Sequence, residues 1–169
     1  FVTRSGFATG GLVLTGTRIG WSAHAAATLR VGVIGCGGRG TQAAKNCVEA
    51  APGVKIIALA DAFPDRMKAA REAFDIPAQR CFAGLDSYRE LFALDDVDLV
   101  ILAAPPGFRP AHFAAAVESR KHVFMEKPVA VCPAGIRKVM EAGRRAAERG
   151  LAVVAGTQRR HDPRYVETM

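Results

Sequence analysis

The stretch Leu29-Arg30-Val31-Gly32-Val33-Ile34-Gly35-Cys36-Gly37-Gly38-Arg39-Gly40, "LRVGVIGCGGRG", runs from a β-branched segment straight into a glycine cluster. Gly35, Gly37 and Gly40 fit the spacing GxGxxG. Such a pattern carries little weight alone, but here it lies between an expected strand, Leu29 to Gly35, and an expected helix, Thr41 to Ala50. In that setting each glycine has a job. Gly35 allows the tight turn, Gly37 lets the backbone approach a pyrophosphate, and Gly40 lets the helix pack closely on the strand. Gly38 and Arg39 complete the turn, and the helix start offers unpaired N–H groups and partial positive charge to phosphates. Gly35, Gly37, Gly38, Arg39 and Gly40 are therefore assigned to a dinucleotide.

The next expected strand, Val54 to Asp61, ends in an acid about twenty residues past Gly40, where a carboxylate can accept from an adenosine ribose 2′-OH. Asp61 thus favours NAD, since it would repel a 2′-phosphate, while Arg66 nearby leaves NADP open. The competing interpretation is a merely structural turn with Asp61 capping a loop.

Beyond Asp61, short β-branched runs continue to alternate with longer amphipathic ones. Expected strands are Arg80 to Ala83, Val97 to Ala104, His122 to Lys127 and Leu151 to Thr157. Expected helices are Pro64 to Phe74, Ser87 to Leu94, Pro110 to Ser119 and Pro133 to Arg149. Prolines at three of these starts suit a first turn, which lacks an acceptor for the missing N–H anyway. The alternation predicts an α/β fold with a doubly wound parallel Rossmann sheet. Val97 to Ala104 is almost continuously apolar, as a strand covered on both faces should be. In such sheets ligands lie beyond the carboxyl ends of the strands. That rule brings in Ala104 and Pro105, whose small or compact side chains leave a dinucleotide room, although an ordinary proline-bounded turn would read the same way.

It also brings in Phe124-Met125-Glu126-Lys127-Pro128, where an acid and a base end an apolar run. Buried charges are costly unless paired, so Glu126 and Lys127 either face water at a sheet edge or line a site. A lysine in a cleft can hydrogen-bond a substrate hydroxyl, stabilise developing negative charge or relay its proton. Glu126 is placed to hold that lysine.

Taken together, "GCGGRG", "AAPPGFRPAHF", "KHVFMEKPVAV" and "GTQRRHDPRY" resemble, in order and spacing, the N-terminal domain of the Gfo/Idh/MocA oxidoreductases over Leu29 to Met169. The resemblance implies that Lys127 is the catalytic lysine reaching nicotinamide and substrate, followed by a cis peptide at Pro128. It implies that Glu126, Lys127, Gln158 and Arg160 border the cofactor. Many relatives have histidine where this chain has Arg109, so Arg109 is expected to take over a cofactor-side contact. Which of Arg159 and Arg160 points inward is left open.

The same resemblance implies a C-terminal α/β substrate domain and an oligomer interface, so the 169 residues are expected to be a fragment without turnover of its own and the full protein a homo-oligomer. The implied function is NAD(P)-dependent hydride transfer to or from a sugar, inositol or related polyol. Alternatives are an NAD-dependent glycosidase using transient oxidation and a non-catalytic NAD or sugar sensor.

Composition narrows the remaining classes. The net charge of +7 is concentrated locally, with Arg4, Arg18 and Arg30 in an acid-free start and Arg144, Arg145 and Arg149 on one expected helix. No zinc-finger, helix-turn-helix or RNA-binding signature accompanies it, so no nucleic-acid partner is expected. Cys36, Cys47, Cys81 and Cys132 are widely spaced and the histidines form no ligand cluster, so no metal site is expected. Gly6 to Trp21 is too short and too polar for a membrane span, which needs about 20 apolar residues. A weak apolar core before Ala23-His24-Ala25 instead fits a twin-arginine-like export leader, with a flexible extension as the alternative. Localisation is accordingly expected to be periplasmic or otherwise exported, or cytoplasmic if the leader is not functional, with residues 28–169 forming the dinucleotide-binding domain.

Overall fold

A computed structural model describes residues 28–168. The leader expected over residues 1–27 lies outside the described residues.

Six parallel strands form one sheet in the order β3-β2-β1-β4-β5-β6. They are β1 (Leu29–Ile34), β2 (Val54–Asp61), β3 (Cys81–Ala83), β4 (Leu99–Leu102), β5 (His122–Met125) and β6 (Val153–Ala155). The helices are α1 (Gly38–Ala50), α2 (Pro64–Phe74), α3 (Ser87–Phe92), α4 (Arg109–Glu118), α5 (Pro133–Glu148) and the short α6 (Pro163–Val166). The chain runs outward from β1 to β3, then crosses back to β4 beside β1. This reversal leaves the crevice between the β1 and β4 ends where a doubly wound sheet binds ligands.

Strand alternation builds two cores. On one face Val31, Val33, Ile56, Leu59 and Ile101 pack with Ala43 and Ala44 of α1 and Met67 and Ala70 of α2. On the other, Ile34, Ala58, Ala60, Val100 and Leu102 pack with Leu91 of α3, Phe113 and Val117 of α4, and Ala142 and Ala146 of α5. Successive strand side chains point to opposite faces, and both faces must be apolar here because helices cover both.

β2 spans Val54–Asp61 as expected, whereas the other five strands are shorter than expected. β1 stops at Ile34 because Gly35 turns with φ +89°. β4 begins only at Leu99, since the Asp98 carboxylate receives the Arg30 backbone N–H and side chain. It ends where Ala103 and Ala104 both donate to the Ile34 carbonyl. Arg80 belongs to a 3-10 turn, Ala78–Arg80, rather than to β3. β5 stops before Glu126, and β6 is confined to Val153–Ala155. Helix α1 starts earlier than Thr41, at Gly38, and a 3-10 turn, Gln158–His161, precedes α6; neither feature was expected from pattern.

Candidate functional site

The strand ends and the loops that follow them border a cavity of about 770 Å³, a volume usual for small-molecule sites. At its centre is the glycine turn. A Cβ on Gly35 would lie 2.3 Å from the Ala104 nitrogen, and one on Gly40 would lie 1.8 Å from the Gly35 carbonyl oxygen. These two glycines are therefore required by packing within the protein. Gly37 and Gly38 are different: a Cβ on Gly37 would meet nothing nearer than the Arg66 guanidinium at 3.5 Å, and on Gly38 nothing within 4 Å. Their backbone faces open space. Helix α1 starts there with no side-chain cap and no acid in its first turn. An uncapped helix N-terminus bordering an open cleft suits a pyrophosphate, because the first N–H groups have no intrahelical acceptor. The residues present fit a dinucleotide.

Asp61 ends β2, 8% exposed, and fixes this turn from below. Its carboxylate accepts from the Cys36 N–H at 2.7 Å and the Phe63 N–H at 3.0 Å. Cys36 is buried beside it, and burial pushes its thiol up to about 12, so it is no nucleophile at neutral pH. Past Asp61, the Arg66 guanidinium lies over the Phe63 ring, 5.5 Å from its centroid, at one end of the cavity.

The cavity also has an aromatic wall that pattern reading did not supply. Leu85 and Tyr88 follow β3, and Phe108 and His112 flank the start of α4. The His112 ring packs 4.5 Å from Tyr88 and stacks 6.1 Å from Phe108. Its Nδ1 is buried without a partner, and burial, aided by the nearby Arg109 charge, lowers its pKa to about 4. The signal that would have found this wall is the strand-end rule applied to the weak strand β3.

The Glu126-Lys127 pair borders the same cavity. Glu126 is 5% exposed, and its Oε1 accepts from Arg39 Nη2 at 2.5 Å. One charge-assisted contact thus joins the glycine turn to the end of β5. Lys127 is exposed and lines the cavity, and its peptide bond to Pro128 is cis. Arg109, 2% exposed, also borders the cleft, but its guanidinium turns inward. Nη2 donates to the Ala104 carbonyl at 2.5 Å and Nη1 to the Pro128 carbonyl. Burial lowers its pKa, which Glu126 partly opposes.

Ala104 and Pro105 line the same cavity, so Gly35, Gly37, Gly38, Arg39, Gly40, Asp61, Ala104, Pro105, Arg109, Glu126 and Lys127 are all brought together. Arg160 lies outside it, in a neighbouring cavity shared with Arg159 and touching Lys127. Gln158 lies in the 3-10 turn that follows β6. Among the described residues no group of three or more His, Cys, Asp or Glu is placed to hold a metal ion.

Comparison with known proteins agrees with this geometry. The family described as "Oxidoreductase family, NAD-binding Rossmann fold", GFO_IDH_MocA, matches residues 29–156. The chain is 31% identical over 140 residues to inositol 2-dehydrogenase of Salmonella paratyphi B, covering 83% of this chain and 40% of that protein. It is 34% identical over 143 residues to the inositol 2-dehydrogenase/D-chiro-inositol 3-dehydrogenase of Halalkalibacterium halodurans, covering 83% of this chain and 38% of that one. Among solved structures, the 3-ketoreductase KijD10 of Actinomadura kijaniata, in complex with NADP and TDP-benzene, superposes with a TM-score of 0.69 at 29% identity, covering 84% of this chain and 41% of that one. The chain thus spans about 40% of the length of the curated relatives it matches.

Proposed function

Because this chain belongs to the Gfo/Idh/MocA oxidoreductase family, we propose that the protein containing it is a nicotinamide-dependent dehydrogenase of a sugar, inositol or related polyol. The observation that carries this reading is the single cleft in which the open Gly37-Gly38 backbone and the exposed Lys127 face common space. A bound nicotinamide supplies the hydride acceptor or donor. The chain's own residues do the rest. Gly37, Gly38 and the α1 N-terminus receive the phosphates, and Asp61 holds the turn while favouring a free ribose 2′-OH. Lys127 takes or returns the proton of the reacting hydroxyl, a contribution of roughly 10²–10⁴-fold for a well-placed acid or base. Arg39 and Glu126 keep the two halves of the cleft in register.

Dehydrogenation belongs to the whole protein; the 169 residues alone are expected to hold dinucleotide without turnover. Export on residues 1–27 is part of the same proposal, supported by their leader-like pattern, and cell fractionation with N-terminal sequencing tests it.

The functional test is to incubate full-length protein with NAD and a panel of inositols and hexoses together with their uronate and phosphate derivatives. NADH accumulating in step with ketone is the expected result. A protein that cleaves glycosides with no net NADH is instead the transient-oxidation glycosidase, and one that binds NAD and sugar with neither outcome is a sensor.

A further inference from the structure

A second cavity, of about 360 Å³, opens beside Lys127 and is lined, among the described residues, by Lys127, Thr157, Arg159 and Arg160. Among the described residues, Lys127 alone lines both this cavity and the dinucleotide cleft. Three of its four lining residues are cations and none is an acid. The acids adjacent in sequence are committed elsewhere, Glu126 to Arg39 and Asp162 to Arg164. Among the described residues, no ion pair involves Lys127, Arg159 or Arg160, and all three are exposed.

The backbone holds this group in place. The Gly156 N–H bonds the Met125 carbonyl at 2.8 Å, tying the end of β6 to β5, and the Arg160 N–H bonds the Thr157 carbonyl at 3.0 Å, closing the turn. The Arg159 guanidinium sits 5.3 Å from the Tyr165 ring centroid, a cation–π contact that restrains it without neutralising its charge. Like charges around one concavity repel each other and raise the local concentration of anions. Guanidinium groups are suited to carboxylate and phosphate because their planar N–H forks match two oxygens at once.

From this arrangement we propose that the substrate is an anionic sugar or polyol derivative. Its carboxylate or phosphate is received by Arg159 and Arg160 while its reacting hydroxyl lies at Lys127. The inference rests on the dehydrogenase reading of Lys127 and adds the substrate's charge to it. Neutral polyols lack the group that these arginines would bind.

The test is calorimetric titration of the full-length protein loaded with NADH, so that the dinucleotide's own phosphate site is filled. The titrants are inorganic phosphate, D-glucuronate, D-glucose 6-phosphate, D-glucose and myo-inositol. At least one anion is expected to bind about tenfold or more tightly than both neutral compounds, and the order of glucuronate and glucose 6-phosphate separates carboxylate from phosphate. R159Q/R160Q is expected to erase that preference. Neutral compounds binding as tightly as every anion would overturn the proposal, as would an anion preference that survives in R159Q/R160Q or an absence of saturable anion binding. If the anions bind as expected but no polyol of either charge is oxidised, the dehydrogenase reading fails while the anion site stands. If a neutral polyol is oxidised and anions do not bind, the reverse holds.

Discussion

At Gly35 and Gly40 the chain meets its neighbours backbone to backbone, whereas Lys127, Arg159 and Arg160 line the neighbouring cavity with long, exposed, charged side chains. The first region is determined by packing. Its carboxylate, Asp61, accepts two backbone N–H groups, and its thiol, Cys36, is buried. The second region makes few internal commitments, and its cations are left for something outside the chain. A dinucleotide presents the same pyrophosphate to every enzyme, so a close-fitting backbone cradle serves it. Substrates differ, and long side chains at a strand edge can be exchanged without disturbing the sheet.

The sharpest way to break this contrast is to add one methyl group at each of two glycines. Gly40→Ala places a carbon 1.8 Å from a carbonyl oxygen and 3.3 Å from the Ala103 Cβ, so the helix must leave the strand. A loss of more than about 3 kcal/mol is expected in urea denaturation, with loss of NAD binding. Gly38→Ala, with nothing within 4 Å, is expected to change stability by no more than about 1 kcal/mol. Its effect should appear only as weaker dinucleotide binding. Equal stability losses at the two positions would mean that the turn is not held by packing.

At the opposite end, Lys127→Ala in the full-length enzyme should lower turnover by about 10²–10⁴-fold while leaving stability within about 0.5 kcal/mol. NAD affinity, read by calorimetry, should stay close to wild type, because the glycine turn rather than Lys127 carries the phosphates. A variant that unfolds or loses NAD would show that Lys127 belongs to the packed region after all.

Arg109 tests the boundary between the regions, since it joins the Ala104 carbonyl on one side to the Pro128 carbonyl on the other. Arg109→Met should cost about 1–3 kcal/mol of stability, typical for charge-assisted bonds lost to partly buried acceptors. In the full-length enzyme kcat should fall with the loosened Lys127 turn while the NAD dissociation constant changes little. A large rise in that constant with kcat preserved would make Arg109 the cofactor contact that its alignment with histidine suggests.

What could be read from sequence follows the same division. The glycine turn was legible because only glycine tolerates those approaches, and Asp61 because a strand end fixes its distance from the turn. Lys127 was legible because a charged pair ending an apolar run demands an explanation. Arg109 was placed at the cleft by resemblance, but its partners were not legible, since they are two carbonyls whose positions depend on the finished fold. The Tyr88, Phe108 and His112 wall was not legible either: an aromatic residue on a short amphipathic helix reads as core until the neighbouring loops are placed. The strand ends were overextended for a related reason. Asp98 reads as part of a strand by position, and only the tertiary pairing with Arg30 shows it to be an anchor.

A pH titration separates the two regions in a further way. His112 is buried against the aromatic wall, with a folded pKa near 4 against an ordinary value of 6.5. Above pH 6.5 both folded and unfolded chains carry it neutral, and its contribution to stability is complete. As pH falls from 6.5 to 4 the unfolded chain takes up a proton that the folded chain refuses, so stability declines by roughly 3 kcal/mol across that window and levels off below it. The ion-paired carboxylates Asp96 and Asp98 have pKa values held below 3.8, so their loss begins at lower pH. His112→Phe keeps a ring against Tyr88 and removes the proton site, and should flatten the decline between pH 6.5 and 4 in urea titrations. A wild-type curve already flat in that window, or one unchanged by His112→Phe, would place His112 in solvent-like surroundings and deny the aromatic end the dryness that distinguishes it from the Lys127 end.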